Sequence, residues 1–143
     1  KDKIKTMLVN AKRENKIKHV AISYCSTSEA ELTKSVINSF LATKVSFFNE
    51  IEDFCRRKAI NYENVRHLVA QDKRIGHSHT YVPGPDGKRG FGGTCFPKDM
   101  SSLITQMIDC GLLSYVLIAA RNRNIDIDRP EKDWSEDKGR AVI

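Results

Sequence analysis

The sequence predicts a mainly α-helical protein, on three observations. Apolar residues recur at helical spacing through five stretches, Ser28-Glu29-Ala30-Glu31 reads as a capping box ahead of the longest of them, and only one short segment, Lys18–Cys25, alternates polar with apolar as a half-buried strand does.

In chain order, Ile4, Met7, Leu8 and Ala11 mark a first helix, and the Lys18–Cys25 strand follows. A lone strand needs a partner from afar or from outside the chain. From Ser28 the periodicity predicts one long helix to about Lys58 with two apolar stripes: Val36, Phe40, Phe47, Ile51 and Phe54 on one side, Ile37, Leu41, Val45 and Phe48 on the other. Burial on two sides implies that part of this helix packs against another subunit. Asn61 is placed to cap a third helix carrying Val65, Leu68 and Val69. A loop then runs from about His77 to Thr94 and holds five of the eight glycines, at 84, 87, 90, 92 and 93. Pro97 suits the first turn of a fourth helix, in which Leu103, Ile104, Met107 and Ile108 repeat until Gly111 stops it. A fifth helix is predicted over roughly Ser114 to Arg123, and the polar tail from Arg129 is expected to lie over the surface or extend from it.

A chain of 143 residues accommodates one domain with a substantial core. With 40% hydrophobic and 29% charged residues it falls in the ordinary soluble range, and no apolar run approaches the roughly 20 residues of a membrane-spanning helix. The formal charge of +6 and pI near 9.2 admit an anionic partner. Much of the excess falls in the first twenty residues, where the lysines spread around a helix as a solvated surface does. Interleaved aromatics and a clustered positive face are missing, which argues against a nucleic-acid binder. Cys25, Cys55, Cys95 and Cys110 lie too far apart for a zinc site or a disulfide framework, so a reducing, cytoplasmic setting is expected. Cys25, Cys55 and Cys110 stand among apolar residues, as small hydrophobes do. His77 and His79 lack the cysteine or carboxylate neighbours that would complete a metal shell, so no metal is expected. The opening at Lys1 suggests a fragment.

The chemistry concentrates in Gly90-Phe91-Gly92-Gly93-Thr94-Cys95-Phe96-Pro97-Lys98-Asp99. A cysteine just before a helix meets unpaired amides and the positive end of the helix dipole, which favour a thiolate, and Lys98 adds charge of the right sign. Glycines ahead of it allow close backbone approach to a ligand, or form a mobile surface hairpin. Asp99, one turn beyond Cys95, reaches toward a proton near the sulfur or complements the dipole. Lys34 and Asn38 share a face of the long helix, polar in an otherwise apolar surrounding.

Together, Glu29-Ala30-Glu31-Leu32-Thr33-Lys34, Asn38, Leu41-Ala42, Lys44, Asn49-Glu50, Asp72-Lys73-Arg74-Ile75-Gly76 and Gly90–Asp99 resemble the central domain of the UDP-glucose/GDP-mannose dehydrogenases, over roughly Thr27 to Gly111. The resemblance implies oxidation of UDP-glucose to UDP-glucuronate with two NAD, through a thiohemiacetal and a thioester on Cys95. It implies that Lys34 and Asn38 stabilise the oxyanion and that Asp99 moves protons. Arg74 is implied to reach across a homodimer, formed through the long helix, to the neighbour's substrate. The segment from Tyr81 through Phe91, Gly92 and Gly93, with Lys98, is implied to hold the UDP-sugar. Phe96-Pro97-Lys98-Asp99 fits the UDP-glucose branch, with GDP-mannose the nearest rival substrate. Residues 1–27 resemble only the last helix and strand of a Rossmann-type NAD-binding domain, residues 28–128 the helical central and dimerisation domain, and 129–143 a polar tail. No Gly-x-Gly-x-x-Gly turn is present, so no cofactor-binding residue is assigned and the chain is expected to be inactive alone. The alternative is a non-catalytic dimerisation or nucleotide-sugar-binding module.

Overall fold

Ser26 and Glu29, two positions ahead of the predicted pair, open the long helix in the computed structural model, which describes residues 2–135. Glu29 Oε2 accepts from the Ser26 amide at 2.6 Å and from its hydroxyl at 2.8 Å, and the Glu29 amide donates to Ser26 Oγ at 3.2 Å. Both Ser-x-x-Glu pairs satisfy the local spacing. The earlier one also gains a helical bond from the Ala30 amide to the Ser26 carbonyl at 3.1 Å.

The described residues form five α-helices: α1 (Asp2–Arg13), α2 (Thr27–Arg57), α3 (Tyr62–Ala70), α4 (Cys95–Asp109) and α5 (Tyr115–Arg123). A π turn, Asn124–Asp128, and a short 3-10 turn, Asp133–Ser135, follow. The mainly helical prediction holds. The predicted strand does not form: Lys18–Cys25 has no regular secondary structure, and no strand exists among the described residues. A strand is held by its neighbour's hydrogen bonds, and the alternating pattern supplies none by itself. Two compact units divide the chain, Lys1–Glu31 and Leu32–Ile143. In the first, α1 buries no residue.

The second unit is built on α2. Ser39, Ala42 and Ser46 follow one another at helical spacing, all buried, and their small side chains let neighbouring helices approach closely. Ser46 Oγ donates to the Ala120 carbonyl at 3.0 Å, tying α2 to α5. Ala42, Phe91, Met100, Ile104 and Ala120 form the core, with Val45, Phe96, Leu117 and Ile118 packed around it. Neither predicted stripe of α2 is wholly buried by this chain: in the second, Leu41 and Val45 are half-buried but Ile37 is exposed. Phe48 is buried, whereas Val36, Phe40, Phe47 and Phe54 are exposed, Phe40 by 65%.

Asn61 caps α3 as predicted, its side chain accepting from the Asn64 amide at 3.1 Å. Helix α4 ends as predicted at Gly111, whose φ of +77° lies in the left-handed region. The Gly111 amide donates to the Ile108 carbonyl and the Leu112 amide to the Met107 carbonyl, at 2.8 and 2.9 Å, the pair of bonds that closes a Schellman motif. Of the expected tail, Pro130, Glu131, Lys132 and Ser135 are exposed, but its first residue is not. Arg129 is buried, pairing with Asp86 at 2.6 Å and with both carboxylate oxygens of Asp133 at 2.6 and 2.7 Å. Its neutralisation by two carboxylates is what makes burial of this charge tolerable. The remainder of the predicted tail, 136–143, lies outside the described residues.

Gly111→Ala places a Cβ in the left-handed region, and the chain is expected to lose about 1 kcal/mol of unfolding free energy, read from urea denaturation, with helix content retained.

Candidate functional site

Cys95 is the first residue of α4, not the residue before it, and its side chain is exposed. Thr94 stands at the N-cap with no side-chain bond into the helix, its hydroxyl 4.0 Å from Cys95 Sγ, so it leaves the first-turn amides uncapped. Pro97, in the same turn, has no amide to leave unpaired. One turn on, Asp99 is buried, 7% exposed. Its Oδ2 accepts from Asn38 Nδ2 of α2 at 2.6 Å, and Lys98 Nζ lies 3.6 Å from its Oδ1. A carboxylate offers no proton to accept, so the Asn38 amide must present its nitrogen here, which fixes the orientation of the group. The structure therefore joins Asn38, Asp99 and Lys98 and places Cys95 one turn away on the same helix. Lys34, one turn before Asn38 on α2, is exposed.

Much of the segment implied to hold a UDP-sugar lines one cavity. Tyr81, Gly92 and Gly93, with His79 and Phe96, line a cavity of about 560 Å³ flanking the cysteine loop. Phe91 also borders this cavity while its side chain packs into the core, 4% exposed, as the loop's one large apolar residue between the glycines. Arg74 lines a different, apolar cavity of about 490 Å³ with Phe40, Phe47, Ile51 and Val65. It is held beside Asp72 at 2.6 Å and is otherwise exposed.

Gly90 and Gly92 serve contacts within the protein. A Cβ on Gly90 would lie 2.2 Å from Asn124 Oδ1, and one on Gly92 would lie 2.4 Å from the Arg129 guanidinium carbon. Both glycines also line the cavity of about 560 Å³.

Several residues around the site carried no role in the sequence reading. Asn49 Oδ1 accepts from the Gly90 amide at 3.2 Å, and Asn124 binds both polar backbone groups of Phe91. Lys44 Nζ donates to the Ile75 carbonyl at 2.6 Å, and burial holds its pKa down. Burial and the Lys44 charge lower that of His79, which faces Phe96 with ring centroids 5.6 Å apart and shares a hydrogen bond with Ser78. Only Lys44 and Asn49 stood in a recognisable motif. Of the cysteines, Cys55 is buried as expected, but Cys25 and Cys110 are exposed.

Arg89 anchors the start of the cysteine loop on α2, bonding Glu52, the Asn49 carbonyl at 3.2 Å and Asp53 at 2.9 Å. Arg123 bridges Asp53 to Asp128, the latter at 3.0 Å. Burial pushes the Asp53 carboxyl up, but the bond from Arg123 and the charge of Arg89 outweigh it and hold the group below its ordinary value. Asp128 is raised, because burial outweighs the same two arginines.

These groups act with opposite sign. The depressed Asp53 contributes stability that is present above the unfolded value, about 3.9, and lost as pH falls through its folded value. The raised Asp128 contributes stability only at low pH, and loses it as pH rises through its folded value. Asp53→Asn is expected to lower Tm at pH 7 and to make the further fall between about pH 4 and pH 2 shallower than in the parent, measured by thermal melts across that range.

Comparison with known proteins finds one matching family. Residues 28–126 match the UDP-glucose/GDP-mannose dehydrogenase family, central domain. The chain is 39% identical over 106 residues to a UDP-glucose 6-dehydrogenase of Pseudomonas aeruginosa, covering 74% of this chain and 22% of that protein. It is 42% identical over 92 residues to one from Rickettsia prowazekii, covering 62% and 20%, and 36% identical over 119 residues to one from Rickettsia bellii, covering 79% and 26%. The matched part thus spans about a fifth to a quarter of these relatives' length.

Proposed function

Because the chain belongs to the UDP-glucose/GDP-mannose dehydrogenase family, we propose that it carries the nucleophile and the subunit-pairing surface of a UDP-glucose 6-dehydrogenase, an enzyme that takes UDP-glucose to UDP-glucuronate. The observation that carries this reading is the Asn38–Asp99 hydrogen bond, which brings a polar pair from α2 and α4 within one helical turn of an exposed cysteine at a helix start.

The Cys95 thiolate adds to the C6 aldehyde of the sugar; the S–C bond forms and the carbonyl pair moves onto oxygen. Asn38 has one N–H committed to Asp99 and a second left to donate to that oxyanion, while Lys34 adds positive charge from the preceding turn. In the closing hydrolysis Asp99 takes a proton from water as the water attacks the acyl carbon, and the S–C bond breaks to return the thiolate. NAD would supply the hydride acceptor for the two oxidations. The residues here do not fit it: the chain has no Gly-x-Gly-x-x-Gly turn, and the described residues hold no strand on which a dinucleotide fold is built. On this reading residues 1–27 correspond to the closing segment of such a domain. UDP-glucose-dependent NADH formation by this chain alone is expected to be undetectable.

The cavity beside Gly92 and Gly93 suits the nucleotide sugar, and Lys98, two residues beyond the lining Phe96, would supply a cation for phosphate. UDP-glucose is expected to slow iodoacetamide alkylation of Cys95 and leave Cys110 unaffected, read by peptide mass spectrometry. Stronger protection by GDP-mannose reassigns the substrate, and protection by neither ligand removes the sugar-nucleotide reading. The four free cysteines accord with a reducing cytoplasm, and no helix among the described residues is long and apolar enough to cross a membrane.

The exposed stripe Val36, Phe40, Phe47 and Phe54, with the apolar cavity that Arg74 borders, is the surface proposed to pair two copies through α2. Sedimentation equilibrium is expected to give a dimer. Phe47→Asp is expected to cost about 2 kcal/mol or more per copy in association and shift the population to monomer, with helix content unchanged.

A further inference from the structure

The cysteine loop has no secondary structure between α3 and α4, yet one residue in it is fixed as firmly as a strand residue in a ladder. Asn124 Oδ1 accepts from the Phe91 amide at 2.8 Å, and Asn124 Nδ2 donates to the Phe91 carbonyl at 2.9 Å. Asn124 is 0% exposed. Bonding both polar groups of one residue fixes the peptide planes on either side of it, as an antiparallel neighbour does. The contact also accounts for Gly90, where an added Cβ would strike the same Oδ1.

This side chain stands where α5 gives way to the π turn. The Arg129 amide donates to the Asn124 carbonyl at 2.8 Å across five residues, so the π turn opens at Asn124, whose own φ of −60° and ψ of −45° still continue α5. Single π turns within helices recur at functional sites. On the far side of the cysteine, Phe96 meets the Phe91 ring edge-on with centroids 6.5 Å apart. Cys95 therefore sits on a short span whose two ends are referenced to Phe91, one by backbone and one by ring.

We propose that Asn124 is a positioning residue for Cys95, acting through Phe91, in a proposal that rests on the reading of Cys95 as the nucleophile. The amide holds Phe91, and Phe91 sets the path of Gly92, Gly93 and Thr94 into the first turn of α4. A side chain that merely filled the core would stabilise the fold without controlling where the sulfur points.

The test uses Asn124→Asp in the 143-residue chain. The substitution keeps shape and the acceptor for the Phe91 amide, but sets a carboxylate oxygen against the Phe91 carbonyl. Two readouts apply where circular dichroism shows a folded chain: the ratio of Cys95 to Cys110 alkylation rates, and the amide resonances of Gly92 and Gly93. The ratio is expected to change several-fold and both resonances to move. Cys55→Ala, a buried change on α2, is expected to lower Tm and alter neither. An Asn124→Asp chain that is folded, with the parent's ratio and glycine resonances, overturns the proposal even if its Tm is lower. If parent Cys95 reacts no faster than Cys110, the nucleophile reading fails instead, while the glycine resonances still report on positioning. Should Asn124→Asp not fold, hydrogen exchange in the parent decides: a Phe91 amide protected like that of Ile104 supports the clamp, and one exchanging at the rate of an open loop overturns it.

Discussion

Burying a loop means burying its peptide groups, and the fold depends on how those of Gly90 and Phe91 are satisfied. Among the described residues no strand lies beside them to supply partners. Asn49 from α2 and Asn124 from the π turn do so instead, one on each residue. An unpartnered buried amide or carbonyl costs about 1–3 kcal/mol, so the loop could not carry Phe91 into the core without these two side chains. Phe91 in turn packs with Ala42, Met100, Ile104 and Ala120, and so joins the loop to α2, α4 and α5.

Charge reinforces the same attachment. Arg89 reaches the flank of α2, Arg123 bridges that flank to Asp128, and Arg129 spans Asp86 and Asp133. Each guanidinium brings several donors in a fixed plane, which is why arginine rather than lysine occupies these partly buried sites. The one exposed cation in the set is Lys88, which bonds Asp133 at 2.6 Å where the chain returns over the loop. The loop that precedes Cys95 is thus fastened to the chain on either side of it in sequence.

Helix α2 has two apolar faces with different fates. One meets α4 and α5 through small buried residues, and the other presents phenylalanines to solvent. Large aromatic side chains are left exposed at a free energy cost, and a contiguous set of them accords with an assembled state that covers them. Asn38 and Asp99 lie on the covered side, where the helix–helix contact holds the polar pair at 2.6 Å.

Local features were legible in the sequence wherever a short-range rule governs them. Asn61 caps α3, Gly111 ends α4, the long helix spans nearly its predicted bounds, and the Cys95 decapeptide declares the family. Asn38 and Asp99, singled out separately, do meet. Elsewhere two local readings were equally good, or the decisive partner was distant in sequence. Ser26 and Ser28 both offer a capping box, so only extra helical bonding chooses between them; Lys18–Cys25 has the alternation of a strand and no ladder to join. That Phe91 is also held in the core by Asn124, that Gly90 and Gly92 stand against Asn124 and Arg129, and that Arg129, read as tail, is buried were not legible. In each of these the contact spans more than thirty residues, beyond what periodicity or composition encodes, and is set only when the helices bring those residues together.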